Sequence, residues 1–389
     1  MRTRLYFLMF SILLVAALQP YEVDARGAKV YRDPGGQQPP SVVRGPYLSC
    51  VTKNSAVISW TTSDACRGSV QFGTTSGYGS EIGDNSAASV HSLTLTGLKT
   101  NAQYHYRIIG DADTSSDYVF WTAPGKDVAF SFVVYGDTRS NHDAHVRVLR
   151  QIEKSAPRFV LNTGDLVARN TVYNWDMYFA DLCDSTRVGE TIPVYSTPGN
   201  HEAGQMYLEN LFLPHNNGEN TEEYYSFDYG SVHIISANSE IDYDPQSPQY
   251  RWLVKDLESP EATSAQFRIA IWHRPPYSSN NHGSDKDLRN TLGALMESHG
   301  VDIVFNGHDH CYERTKPIHG ITYVVTGGGG APLYDFKESN DWTACREKTH
   351  HFCNVEIDGS TLRMTMIRDD GSSGDSFIID KNKTLQPQK

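Results

Sequence analysis

No two of the six cysteines stand close enough to make a CxxC pair, which excludes zinc ribbons and thioredoxin-type redox chemistry. They are Cys50, Cys66, Cys183, Cys311, Cys345 and Cys353, and in an oxidising compartment Cys50 and Cys66 are the first pair to test for a disulfide, with free buried thiols as the competing reading. Positive charge is scarce too. Lys and Arg number 34 against 46 Asp and Glu, a net charge of -12, so no nucleic-acid binding is expected. No apolar run approaches the roughly 20 residues of a membrane span. The longest, residues 5 to 18, follows Arg2 and Arg4 and precedes small residues, with Val23-Asp24-Ala25 as a cleavage site. Residues 1–25 therefore read as a secretory signal peptide, and the mature chain as secreted, extracellular or periplasmic, without a stable membrane span. Its removal leaves the charge unchanged, because Arg2 and Arg4 offset Glu22 and Asp24. No internal repeat or low-complexity block appears. The glycine run "TGGGGAP", residues 326 to 332, lacks the GK[ST] ending of a phosphate loop and reads as a tight loop lining a site.

What is present is a globular composition, with 39% hydrophobic residues and 22 tyrosines in 389 residues, enough for two domains with a β-rich or mixed character. Residues 26–40 are rich in Gly, Pro and Gln and read as a tether. Residues 41–124 carry short alternating strands such as "SAVISW", "HSLTLTG" and "AQYHYRI" between turn signals, a β-sandwich resembling fibronectin type III modules, with Trp60 as a core aromatic. After "APGKD", residues 127–380 alternate strands with helices, including one from about Asp143 to Lys154 and one capped by Ser247 with Pro248 at its first position. That alternation predicts an α/β domain with helices outside the sheets. Residues 381–389 form a polar tail.

Five apolar strands of this second part end on a metal-competent side chain. "YGD" ends at Asp137, "TGD" at Asp165, "TPGNHE" supplies Asn200 and His201, "AIWH" ends at His273, and "NGHDH" supplies His308 and His310. Sites in α/β proteins gather at the carboxyl ends of strands, so these residues can converge. Two carboxylates, an amide oxygen and three imidazoles, with no thiolate, suit catalytic Zn, Mn or Fe rather than a structural zinc. Six ligands exceed what one open metal needs. A bridging carboxylate between two ions, with a hydroxide held between them, is a neutral-pH nucleophile for phosphoryl groups.

The order GD, GD, GNHE, WH, GHDH resembles the calcineurin-like metallophosphoesterase superfamily. "RGPYLSC", the sandwich, "HRPPYSSNNH" and "GHDHCYER" make the chain similar to the purple acid phosphatases in particular. The resemblance covers nearly all of the mature chain. It implies a four-layer α/β/β/α domain behind the sandwich. It also implies a first metal on Asp137, Asp165 and His310, and a second on Asp165, Asn200, His273 and His308. His201 and His282 match the family's substrate-facing histidines, for phosphate binding and for protonating the leaving alkoxide. The ions expected are two per chain, Fe, Mn or Zn, and the partner is a small phosphate ester. The implied activity is acid-phosphatase-like monoester hydrolysis; alternatives are diester or nucleotide hydrolysis, or a degenerate exported binding protein.

One position departs from the pattern. These phosphatases carry a tyrosine three residues after the second aspartate, where this chain has Ala168. His142 and His145, spaced to share a helix face behind Asn141 as a cap, are candidates to replace it or to contact substrate, and a structural role is the competing reading. Arg139, two residues after Asp137, is a candidate phosphate clamp; it is equally suited to pair with a neighbouring carboxylate.

Overall fold

Period-two alternation of apolar side chains decides which face of each strand meets which layer. In the strand Phe267–Ile271, Ile269 and Ile271 enter one core while Ala270 and the following Trp272 enter another. Ile303 and Phe305 against Val304, and Val324 against Tyr323, divide in the same way. A sheet sorted like this must be covered on both faces, by a second sheet on one side and by helices on the other.

The computed structural model describes residues 21–23, 29–31, 40–110 and 114–383. Most of the expected signal peptide and tether, and residues 384–389 of the tail, lie outside the described residues; Tyr21–Val23 and Lys29–Tyr31 pair antiparallel. Among the described residues no helix is long and apolar enough to cross a membrane.

The N-terminal part is a sandwich of two antiparallel sheets. Val42–Ser49, Ser55–Cys66 and Ala88–Thr96 form one, and Ser80–Gly83, Ser69–Gly73, Gln103–Ile109 and Tyr118–Trp121 the other. Trp60, Tyr104 and Tyr106 are buried between them.

The second part packs a six-stranded sheet against a seven-stranded one. In the first, Val194–Ser196, Val160–Asn162 and Phe130–Tyr135 run parallel, and His351–Asp358, Thr361–Arg368 and Ser373–Asp380 follow antiparallel. In the second, Val232–Ser236, Phe267–Ile271, Ile303–Asn306 and Thr322–Thr326 run parallel, flanked by Tyr225–Tyr229 on one edge and by Tyr312–Thr315 and Thr343–Glu347 on the other. The helix His142–Ser155 buries Val148, Leu149 and Ile152 on the outer face of the six-stranded sheet. The helix Pro248–Leu257 and the helical segment from Lys286 to Ser298 cover the seven-stranded one through Leu253, Leu288, Leu292 and Met296. This is the four-layer α/β/β/α arrangement behind a sandwich. Asn141 caps the first helix by accepting from Ala144 N at 3.3 Å, and Ser247 caps the second by accepting from Tyr250 N at 3.1 Å.

The two parts share packing. Tyr47 of the sandwich lies 4.9 Å, ring to ring, from Phe179 and donates its hydroxyl to Asn210 O at 2.7 Å. Tyr106 donates to Glu190 O at 2.8 Å, and Tyr195 returns a bond to Val51 O at 3.3 Å.

Cys50 and Cys66 do not bridge, and all six cysteines are free thiols. Strand register is the reason. Ser49 pairs with Val57, and Cys66 lies nine residues further along the same strand, about 30 Å at the usual rise per residue. A disulfide needs Cα atoms within about 7 Å.

Candidate metal centre

Parallel pairing places the carboxyl ends of neighbouring strands side by side. Asp137, Asp165 and Asn200 therefore leave the six-stranded sheet on one edge, and His273 and His308 leave the seven-stranded sheet facing them. Cross-sheet bonds hold the two edges together: His308 N donates to Asp137 Oδ2 at 2.9 Å, and Gly136 N to Thr326 O at 3.0 Å.

The exits are sharp. Asp137, Asp165 and His308 all have positive φ, 57°, 57° and 67°, a conformation costing about 1–3 kcal/mol for residues with a side chain. Each follows a glycine. At Gly307 a Cβ would collide with Asp137 Oδ2 and Thr163 Oγ1, and at Gly199 with the backbone and carboxylate of Asp165, so both glycines let chain and carboxylates approach. Gly327 likewise lies against Asp137 Oδ2, Gly329 and Gly330 lie against the backbone of Gly136 and Thr138 on either side of Asp137, and Ala331 N donates to Asp137 O at 2.8 Å.

One half of the site is built around His273, which is fully buried. Its Nδ1 donates to Thr163 O at 2.9 Å, leaving Nε2 bare. That nitrogen faces Asn200 Oδ1 at 3.1 Å, Asp165 Oδ1 at 3.3 Å and His308 Nδ1 at 3.1 Å. Lone pairs directed at lone pairs are relieved by a cation. Burial alone would push the His273 imidazolium down, but Asp165 and Asp137 outweigh it and raise its pKa above the ordinary value. Burial and the neighbouring His273 push His308 far down, so it is a neutral ligand-type imidazole.

The other half joins Asp137, Asp165 and His310, whose ligand atoms lie within 4.8 Å of one another, all buried. His310 Nδ1 donates to Pro332 O at 2.7 Å, and its bare Nε2 lies 3.4 Å from Asp137 Oδ1. Asp137 Oδ1 is buried with no hydrogen-bond donor among the described residues. Burial pushes Asp165 up, but His273, His201 and Arg139 together hold it below the usual carboxylate range. An orphaned carboxylate oxygen, two imidazoles locked through backbone carbonyls and a shared aspartate fit cations bound through oxygen and nitrogen.

His201 and His282 stand at the mouth of this cluster. His201 N donates to Asp165 Oδ1 at 3.1 Å and its Nδ1 to Ala168 O at 2.7 Å. His282 is anchored by its own N–H on Asp309 Oδ1 at 2.9 Å, and its ring lies 4.2 Å from that of His308. Beside it opens a cleft of about 440 Å³ lined by Arg274, Pro275, His282, Ser284, Lys286 and His308 among others.

Three sequence candidates are placed differently. His142 and His145 both direct Nδ1 at Asp181 Oδ2, each at 2.8 Å, and His145 Nε2 meets Tyr135 OH at 3.2 Å. This buried carboxylate holds the pair away from the Asp137–Asp165–His310 group. Arg139 spends its fork on Asp165 Oδ2, 3.1 Å from Nε, and on His310 Nε2, 3.4 Å from Nη2. The pairing reading, rather than a free clamp, describes its position here.

Other site residues escaped the sequence reading. Tyr334 stacks on His310 at 4.0 Å and 15°, and nothing local marks it. Asp309, inside "GHDH", and Glu313, just after, were signalled by position: Asp309 also accepts from Ser278 Oγ at 2.5 Å, and Glu313 from Ser279 N and Oγ at 2.7 and 2.6 Å. Glu202, in "GNHE", accepts from Gly199 N at 2.9 Å and is pushed up to about 8 by burial and Asp165.

Fold and donor set together define a carboxylate–imidazole metallohydrolase whose centre lies between two sheets. The family model for calcineurin-like phosphoesterases matches residues 130–312, and that for the iron/zinc purple acid phosphatase-like C-terminal region matches residues 320–376. The chain is 32% identical over 285 residues to purple acid phosphatase 21 of Arabidopsis thaliana, covering 64% of this chain and 63% of that relative. It is 26% identical to acid phosphatase type 7 of Mus musculus over 96% of both chains. The solved structure of purple acid phosphatase PPD1 from yellow lupin seeds superposes with a TM-score of 0.75 at 23% identity, covering 88% of this chain and 74% of that one. The chain belongs to the calcineurin-like metallophosphoesterases, in their purple acid phosphatase-like group. That family implies a dinuclear metal centre, and the buried Asp/His cluster is where it would lie.

Proposed function

We propose that the chain is a secreted, acid-phosphatase-like enzyme that hydrolyses phosphate monoesters at this cluster, with Fe, Mn or Zn ions. The observation carrying this reading is the convergence of Asp137, Asp165, Asn200, His273, His308 and His310 with their lone pairs facing one another. Ions held there would neutralise phosphoryl charge and lower the pKa of a water. The chain's own groups supply the rest. His201, fixed through Ala168 O, binds a phosphoryl oxygen. His282 gives a proton to the departing alkoxide as the ester P–O bond breaks and water oxygen joins phosphorus, so the products are phosphate and an alcohol. The cleft beside His282 seats the alcohol part. The signal-like residues 1–25 support secretion, and relatives named as acid phosphatases support the phosphatase chemistry. Residues 41–124 and 127–380 act as sandwich and catalytic units.

The test is hydrolysis of p-nitrophenyl phosphate by protein loaded in turn with Mn, Zn and Fe. We expect turnover, lowered by more than about 100-fold in Asp165→Asn and His273→Ala. Faster turnover of bis-p-nitrophenyl phosphate or of nucleotides would replace the monoester assignment. Metal binding with no turnover of any ester would make the chain a binding protein on an esterase scaffold.

A further inference from the structure

The two halves of the cluster are not equivalent, and the difference is Arg139. An imidazole nitrogen has one in-plane lone pair. His310 Nδ1 donates to Pro332 O, so the lone pair available to a cation is on Nε2, and Arg139 Nη2 lies 3.4 Å from it. Arg139 Nε donates to Asp165 Oδ2 at 3.1 Å, and Nη1 lies 3.4 Å from Ser140 Oγ. The guanidinium cannot lose its charge in a protein. Its side chain is 16% exposed, and its backbone N–H is bound to Asp165 O at 3.3 Å, so it is anchored where it stands. The Asp137–Asp165–His310 half therefore already contains a cation on two of its three donors. Ala168 adds no side-chain ligand there, and its carbonyl is taken by His201. The other half has the reverse character. Around His273 Nε2 stand Asn200 Oδ1, Asp165 Oδ1 and His308 Nδ1, and among the described residues no guanidinium or ammonium donates to these three atoms.

The geometry points to Arg139 as a built-in competitor for the first metal, so that the chain holds one ion tightly on Asp165, Asn200, His273 and His308 and the second only by displacing a guanidinium. This deepens the phosphoesterase reading and rests on it. A metal entering the first half must take the Nε2 lone pair of His310 from Arg139 and accept a positive charge a few ångströms away. A penalty on the order of 100-fold in affinity follows from a unit charge at that range, even with part of it offset by Asp165. Arg139 is a positioning residue in this scheme, acting on occupancy rather than on the ester.

The experiment is calorimetric titration of the chelator-stripped full chain with Mn²⁺ and with Zn²⁺, with elemental analysis after gel filtration. The native chain is expected to retain close to one ion per chain through gel filtration and to bind a second about 100-fold more weakly. Arg139→Gln removes the charge but keeps a polar side chain; it should bring the two affinities within about tenfold and retain two ions. Arg139→Lys, a point charge that cannot engage both partners, should fall between. Two equally tight ions in the native chain overturn the inference, and that result needs no variant to fold. Arg139→Gln that still retains a single ion overturns it as well. No bound ion at all overturns both this inference and the phosphoesterase reading, whereas two equal ions with ester hydrolysis overturn this one alone.

Discussion

His233 lies on the strand Val232–Ser236 with one ring nitrogen 2.9 Å from Asp228 Oδ1 and the other 3.0 Å from Asp256 Oδ2. Burial disfavours its charge, but the two carboxylates more than offset this and raise its pKa to about 9. A folded pKa above the unfolded value of about 6.5 contributes stability that is complete below pH 6.5 and lost as pH rises through 9. The contribution is about 3 kcal/mol at full strength. His233→Gln should therefore lower the melting temperature strongly at pH 6 and much less at pH 10; an equal loss at both would show that packing, not charge, holds the residue. Gly307 makes a second prediction at this scale. Its Cβ-free backbone is what lets Asp137 Oδ2 receive His308 N, so Gly307→Ala should reduce bound metal while far-ultraviolet circular dichroism stays native.

At the scale of elements, the segment carrying His282 is a loop held by side chains rather than by a ladder. Glu313, on the strand Tyr312–Thr315, accepts from Ser279 N and Oγ and from Thr343 Oγ1 at 2.8 Å, tying the loop to the edge of the seven-stranded sheet. Removing it leaves a buried N–H and two hydroxyls without that acceptor, a cost of about 1–3 kcal/mol. Glu313→Ala should lower kcat by roughly 10–100-fold through misplacement of His282. Bound metal should not change, because Glu313 touches none of the candidate ligands. A fall in metal content equal to the fall in kcat would contradict a positioning role. The strands themselves are more robust: their carboxyl ends are set by ladders across two sheets, and the exits after Tyr135, Asn162 and Asn306 inherit that rigidity.

For the whole molecule, the sandwich keeps its own buried core around Trp60 and Tyr106 and joins the catalytic layers through a few residues at the boundary. Tyr47 and Ala123 belong to the same buried cluster as Phe179, Leu211 and the inner faces of the two sheets. Packing shared across the boundary, with Tyr47 inside the catalytic core and Tyr106 bonded to Glu190 O, predicts one calorimetric unfolding transition; two resolved transitions would show that the parts fold independently. Glu190 lies at this boundary, its carbonyl receiving Tyr106 OH and its own Oε2 buried without a partner among the described residues. Burial raises its pKa to about 8, so it is protonated in the fold and stability is lost as pH rises from about 4.5 through 8. Glu190→Gln should raise the melting temperature at pH 9 and leave it nearly unchanged at pH 5.

By itself the sequence determined the layers and the exits. Alternation at Ile269–Trp272 and Ile303–Phe305, the cap at Ser247, and a glycine before each of Asp137, Asp165 and His308 are local signals, readable because side-chain period and turn chemistry are properties of a few adjacent residues. The pattern of five strand ends bearing oxygen or imidazole ligands was legible for the same reason. Tertiary structure alone decided who meets whom. Asp181 draws His142 and His145 together 36 or more residues away, Arg139 turns onto Asp165 and His310, Tyr334 stacks on His310 from a loop with no motif, and strand register keeps Cys50 from Cys66. Such pairings depend on register and on which loops the parallel sheets bring to one edge, and neither quantity is written in any short stretch of the chain.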